Sequence, residues 1–377
     1  MQKISYILFV LILAGCTKQL LINDYPYKPP SLPMFGQVPE RKFYYPIVLS
    51  DSLKLKWKES SHGSFANNSV VIEGSYVFVS DLAGNIFCYN ADTAKVVGAD
   101  KGSGEIAVAP LLNSGFIYYV ITVNDESYSK LISYNIRDGE RKKEIEIPGR
   151  VGNEMIIFEN SLFFVSDEGT AYMYDFHLRN IWEKKLKQRV YSSPAASKGK
   201  IFIAAYNGNL ICLDEKTGEQ IYSQKLSDGF ESAIVIDRET GFIGDAEGNL
   251  IAFNIENGAE KWRARTGSKI KAPAVHNGQN IYSANLAGSI YCFEIESGKK
   301  KWSFNSEGIF NAPAALFKNV LVQPDLNRKL LFINPQSGEI IRTIEYDGRV
   351  KLHPVYFDKT LYVGVDRGEL YAYKCVY

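Results

Sequence analysis

The sequence predicts an all-β protein: an eight-bladed β-propeller of four-stranded antiparallel blades, closed by an amino-terminal strand that completes the last blade. Three observations carry this prediction. A six-residue strand segment, usually opened by glycine, recurs eight times. Each recurrence sits in a unit with four strand signals. The eighth unit stops one strand short, and a spare strand stands near the amino end.

The recurring segment reads Gly84-Asn-Ile-Phe-Cys-Tyr89, Gly169-Thr-Ala-Tyr-Met-Tyr174, Gly208-Asn-Leu-Ile-Cys-Leu213, Gly248-Asn-Leu-Ile-Ala-Phe253, Gly288-Ser-Ile-Tyr-Cys-Phe293 and Gly368-Glu-Leu-Tyr-Ala-Tyr373. Two degenerate copies, Ser129 to Tyr134 and Arg328 to Ile333, fill the gaps. Their ends fall at 89, 134, 174, 213, 253, 293, 333 and 373, so the period is close to forty throughout. A period of this length with strand character marks a propeller blade.

Within each unit a small-residue segment comes first, as in Ser193-Pro-Ala-Ala196 or Ala272-Pro-Ala-Val275. A β-rich run follows, such as Lys200-Ile-Phe-Ile203, and a turn such as Tyr206-Asn-Gly208 leads into the recurring strand. Asx or Thr/Ser-Gly turns come next, for example Lys216-Thr-Gly218 and Glu296-Ser-Gly298. The last strand carries a large residue at a fixed place: Trp182, Tyr222, Trp262, Trp302 and Arg342, forty apart. A single such sheet has two apolar faces and cannot bury them alone, so the units must pack side by side. A linear stack would need capping units. Closure is favoured because the eighth unit lacks its fourth strand, while Leu53-Lys-Leu-Lys-Trp57 supplies both a strand and the bulky residue.

The amino terminus reads as an address. Lys3 precedes an apolar run of ten, Ile4 to Leu13, which is too short to span a bilayer as a helix. Leu13-Ala14-Gly15-Cys16 then places small residues before a cysteine, as in a bacterial lipobox. That resemblance implies cleavage before Cys16, lipidation of Cys16 and stable membrane anchoring by several acyl chains. Thr17, rather than an aspartate, follows, which by resemblance to lipoprotein sorting implies the outer membrane. The expected division is a signal peptide over 1–15, a lipidated cysteine and Pro-rich tether over 16–46, and the propeller over 47–377. Six of the 14 prolines lie at 26, 29, 30, 33, 39 and 46, so the tether is expected to be extended and without regular structure. Its aromatic residues, Tyr25, Tyr27, Phe43, Tyr44 and Tyr45, leave open that part of it packs on the domain.

Composition excludes several function classes. The chain has 377 residues, 46% hydrophobic, with 43 basic against 42 acidic side chains. No global field is available to hold nucleic acid. Five cysteines and four histidines are too scattered for a disulfide framework or a metal cluster. Cys88, Cys212 and Cys292 share one repeat position in non-adjacent units and read as buried apolar residues. Asp81, Asp167, Asp245, Asp325 and Asp366 recur near one turn and read as Asx caps rather than a cation-binding ring. No Gly-x-Ser-x-Gly elbow is present.

The strand-turn pattern resembles the quinoprotein-type repeat, most clearly in Leu213-Asp214-Glu-Lys-Thr217-Gly218 and Asn254-Ile-Glu-Asn-Gly258-Ala-Glu-Lys-Trp262. With eight blades, this length and a lipobox, the chain resembles the BamB family of outer-membrane assembly lipoproteins. The resemblance implies a non-catalytic scaffold that requires no cofactor, faces the periplasm, docks on a POTRA domain of the β-barrel assembly subunit and holds unfolded barrel substrates. Family docking positions correspond to Ile147 and Arg150 in one connector and to Arg189 and Tyr191 in the next. The family's acidic pair is replaced by Arg189 and Tyr191, so the partner surface is expected to differ. The alternative is that Arg150 and Arg189 are solvated loop charges. Two other functions are weighed. One is a lipoprotein that binds a peptide or glycan at one face, for which the five-residue excess of the second unit around Thr122 to Lys130 is the candidate element. The other is a quinone-dependent dehydrogenase, which would need a flat cofactor gripped by a tryptophan and an adjacent-cysteine disulfide beside Ca²⁺; no Cys-Cys pair is present.

Overall fold

A computed structural model describes residues 18–27, 29–61, 63–123 and 127–377. Among these, eight sheets form the predicted ring. Blades 1 to 7 occupy 71–101, 111–148, 156–185, 195–225, 235–265, 275–305 and 315–345. Blade 8 joins 355–376 to Ser52–Ser60. In blade 4 the short first strand, Ala195–Ser197, is fully buried at the hub, and the last, Gln220–Lys225, is exposed at the rim. Antiparallel pairing puts the first-to-second and third-to-fourth turns on one face, here the lower. The second-to-third turns and the connectors between blades lie on the upper face.

Trp57 pairs with Ala372 across the blade 8 seam, as Trp182 does with Met173 and Trp262 with Ala252 in their own blades. These residues interlock the ring. The indole N–H of Trp182 donates to the Glu215 carbonyl of the next blade at 2.7 Å. The Tyr222 hydroxyl does so to Ile255, and the indoles of Trp262 and Trp302 to Ile295 and Pro335, at 3.0–3.1 Å. Trp57 donates to Ala91 at 2.8 Å and so locks blade 8 onto blade 1. Its ring also packs against Tyr89 and Tyr362. Blade 2 reaches blade 3 from a different strand, through the Tyr118 hydroxyl to Phe176, and Arg342 of blade 7 reaches Asp51. Tight turns accept the rings because they carry glycine: at Gly218 (φ 68°) a Cβ would lie 2.6 Å from the Trp182 ring.

Blade 1 has Gly98 where its neighbours carry a large side chain. The chain's own beginning fills that space. A Cβ on Gly98 would lie 2.4 Å from the Gln19 carbonyl oxygen. The Ile22 amide donates to the Ile136 carbonyl at 2.9 Å, taking the role that the indoles play elsewhere, and Leu20 is buried between the blades.

The segment expected as a tether is therefore not one. It is extended and poor in regular structure, as its prolines dictate, but from Lys18 onward it is packed against the propeller. Ser31–Leu32 adds a fifth, innermost strand to blade 1, and Tyr44–Tyr45 adds one in parallel to blade 7. Between them the chain crosses the hub. Pro33, Pro39, Glu40 and Phe43 offer their carbonyls to the inner strands of blades 2, 4, 5 and 7. Proline suits such a path, since it gives up a donor but keeps its acceptor. Arg41 stands at the centre with no exposed surface. Its guanidinium donates to the carbonyls of Pro194, Phe35 and Glu154 at 2.7–3.0 Å, so the buried charge is held by a planar fork of acceptors. Burial pushes its pKa down to about 10, opposed by the Glu154 carboxylate.

Truncating Trp57 to alanine removes a buried indole and the last interlock, and should lower stability by about 3–5 kcal/mol. An unchanged thermal transition would rule out ring closure by this strand. Gly98→Leu should expel residues 18–22 from the seam. The amides of Ile22 and Ala99 would then lose hydrogen-exchange protection, and retained protection would contradict the packing described.

Candidate functional site

The hub is a blind funnel. Phe35 and the Arg41 fork close it from below, leaving a cavity of about 400 Å³ open on the upper face. Its wall is built by one repeat position taken from successive blades: Tyr191, Glu231, Lys271 and Asn311, forty residues apart. A second ring two residues deeper comprises Ser193, Ala233, Pro273 and Pro313. Asn67, Arg150, Gly152, Glu154 and Asp167 complete the lining.

Charge in the funnel is largely paired within the wall. Arg150 sits 2.6 Å from Glu105 and 3.7 Å from Asp167. Glu231 receives Lys269 at 2.5 Å and Lys271 at 3.3 Å. Glu231 loses solvation on burial, but the two lysines outweigh this and hold its pKa below the usual carboxylate value. Glu154 behaves oppositely: burial raises its pKa to about 7, against the pull of Arg41 and of the Ala109 amide that it accepts. Asp167 is raised to about 6 by burial, although the Gly152 amide and Arg150 favour its charge. The funnel lining thus holds two carboxyl groups, Glu154 and Asp167, whose charged forms are disfavoured by burial.

Asp81, Asp245 and Asp325 cap turns as expected, but Asp167 and Asp366 do not: Ser166 Oγ takes the Thr170 amide in place of Asp167. Asp245 Oδ1 accepts the amides of Glu247 and Asn249, and Asp81 Oδ1 those of Ala83 and Asn85. Asp325 also accepts the Ile309 amide of the preceding connector, whereas the side chains of Asp167 and Asp366 bind such connectors instead, through the amides of Gly152 and Arg349. Among the described residues no group of three or more His, Cys, Asp or Glu side chains is arranged to hold a metal ion.

Three of the four residues implied as a docking surface lie on the upper face. Arg150 is half exposed at the funnel mouth. Arg189 is exposed on the connector between blades 3 and 4, and its carbonyl accepts the Tyr206 amide. Tyr191 is 37% exposed and stands edge-to-face with Tyr206, 47% exposed, at 5.1 Å between ring centroids. Ile147 does not belong with them. It lies at the end of the fourth strand of blade 2, fully buried in the core shared with blade 3, where it cannot meet a partner. Cys16 and residues 124–126 of the blade 2 insert lie outside the described residues. The flanking strands, Phe116–Thr122 and Tyr128–Asn135, meet at the upper face.

Tyr206, Glu231, Lys271 and Asn311 were not singled out from the sequence as site residues. The forty-residue spacing that defines the blades also marks the last three, each immediately before a small residue, Ser232, Ala272 or Ala312. No such signal exists for Phe35 and Arg41, which lie outside the repeats.

The hub does not fit a quinone cofactor. The packed amino-terminal segment 18–46, here called the strap, crosses it, and its wall offers Tyr191 but no tryptophan. All four tryptophans interlock blades near the lower face. Cys88, Cys212, Cys292 and Cys375 are free and buried, so none forms the disulfide that would grip the ring.

Fold and site define an eight-bladed propeller of quinoprotein-type repeats. The family described as outer membrane protein assembly factor BamB matches residues 167–287. Among solved structures, BamB from Moraxella catarrhalis superposes with a TM-score of 0.73 at 13% identity, covering 86% of this chain and 100% of that one. The computationally designed Ika8 protein gives 0.75 at 13% identity, with the same coverage. Quinohemoprotein alcohol dehydrogenase from Comamonas testosteroni gives 0.76 at 11% identity, covering 93% of this chain and 81% of that one. No curated protein matches by sequence. The chain is an eight-bladed propeller whose repeats are similar to those of BamB over residues 167–287.

Glu154→Gln should flatten the pH dependence of stability. The folded-state pKa is about 7 and the ordinary value 4.5. The contribution of Glu154 is therefore fully present below pH 4.5 and is lost as pH rises through 7. Melting temperatures of both proteins across pH 4–8 test this, and parallel curves would refute it.

Proposed function

We propose that this protein is a membrane-anchored, non-catalytic scaffold of outer-membrane β-barrel assembly, docking through its upper face onto a POTRA-containing subunit. The observation that carries the reading is the exposed Tyr191–Tyr206 pair beside Arg189, on a connector where the family resemblance implies docking. Tyrosine and arginine are the side chains that most often dominate interface energies. A rigid ring suits the role, because the contact residues sit on short connectors fixed at both ends by blades. Lipidation at Cys16 would hold the scaffold at the outer membrane with the propeller in the periplasm.

A second reading is supported by the funnel, whose volume suits a peptide side chain or a single sugar unit. In that case the upper face would bind a peptide or glycan rather than a folded domain.

Affinity purification of the lipidated protein from membranes separates the two. A barrel-assembly subunit in the eluate supports the scaffold, whereas a glycan-uptake or respiratory partner overturns it. Arg189→Glu and Tyr191→Ala should each weaken recovery of that subunit roughly tenfold or more, as hot-spot truncations do. Recovery at wild-type level from the double variant would remove this surface from the proposal.

A further inference from the structure

The strap fixes where an anchor would leave the disc. Lys18 is already part of the fold: its carbonyl accepts the Ala99 amide at 2.8 Å. Gln19 bridges to Ala99 in parallel, and Leu20 is buried with its carbonyl accepting the Tyr134 hydroxyl at 2.6 Å. Ile22 binds the third-to-fourth turn of blade 2, which is a lower-face turn. The seam between blades 1 and 2 therefore grips the chain from residue 18, and only Thr17 separates that residue from Cys16. Two residues reach at most about 7 Å. A longer leash would let the disc tumble freely beneath its anchor, and this one does not.

We propose that the lower rim at the seam of blades 1 and 2 is a membrane-contacting surface, held against the phospholipid headgroup layer by this short leash. The inference rests on the reading of Cys16 as a lipid anchor. A second feature lies on the same face. Tyr27 is 81% exposed, between Pro26 and Pro29, whose rings cover Gly74 in the first-to-second turn of blade 1. An amphipathic tyrosine ring is suited to the headgroup level. Blades 5 and 6, across the ring, are then the part of the disc farthest from the bilayer. The funnel mouth and the Tyr191–Tyr206 pair open on the opposite face.

The test uses full-length lipidated protein in phospholipid vesicles containing a headgroup-labelled quencher. A fluorophore is placed in turn through Lys95→Cys and Glu140→Cys on the rim, and through Glu296→Cys on blade 6, all at exposed positions. The cysteines of the propeller are buried and do not compete for label. Quenching at the first two sites should be several-fold stronger than at the third. Inserting about twenty Gly/Ser residues between Thr17 and Lys18 frees the disc, and should abolish the difference while the vesicles still float the protein. Flotation with equal quenching at all three sites, or a difference that survives the insertion, overturns the rim contact but leaves the anchor standing. Failure of the unmodified protein to float overturns both.

Discussion

Eight sheets stand in a ring only if each is told where its neighbour begins, and hydrogen bonds across every junction do this. A side chain near the middle of one blade donates to a carbonyl exposed on a tight turn of the next. That carbonyl would otherwise face apolar rings without a partner, at a cost of roughly 1–3 kcal/mol. The donor need not be a tryptophan: Tyr118, Tyr222 and Arg342 serve, and at one junction the backbone amide of Ile22 serves. In seven of the junctions the acceptor lies on a turn opened by Asn, Asp or Glu and carrying a positive-φ residue, glycine in five blades but Ala94 and Leu178 in blades 1 and 3; at the eighth it is Asp51, beside the closing strand. Apolar burial supplies most of the driving force, but it is non-directional. The polar contact sets the angular register.

Periodicity was legible because it is local. The strand, turn and bulky residue of each blade lie within forty positions of one another, and regular spacing reveals them without any knowledge of the fold. Trp57 could be assigned to blade 8 for the same reason, since it answered a vacancy in a pattern. The strap gave no such signal. Its residues pair with sites as far away as Leu316 and Phe317, and its prolines and aromatics are equally suited to a loose linker or to a packed one. Only the hub's need for something to fill it decides between these, and a hub cannot be seen in a sequence. Arg41 shows the difficulty most clearly. A lone arginine in a polar, Pro-rich stretch reads as solvated, and its burial depends on three carbonyls that converge from separate parts of the chain.

The upper face was legible in part. Arg150, Arg189 and Tyr191 were assigned to connectors by the family resemblance, and they lie there. Ile147 was misplaced by three residues' worth of strand, because the fourth strand of blade 2 runs on to Pro148 and carries it into the core. The pairing of charges across the funnel wall lay beyond reach. Glu231 with Lys269 and Lys271, or Arg150 with Glu105, depends on which connectors curve toward the axis.

The two ends of the propeller share one sheet. Ser52–Ser60 pairs along its length with Glu369–Val376. During synthesis the first of these strands emerges more than three hundred residues before its mate, and it must wait through seven further sheets. Until the last residues arrive, the nascent arc has two raw edges, each a template for pairing with a foreign chain. Loss of a handful of carboxy-terminal residues would therefore do more than trim the molecule, since it would leave those edges exposed permanently. A chain built this way is suited to a route in which it is delivered whole before it folds.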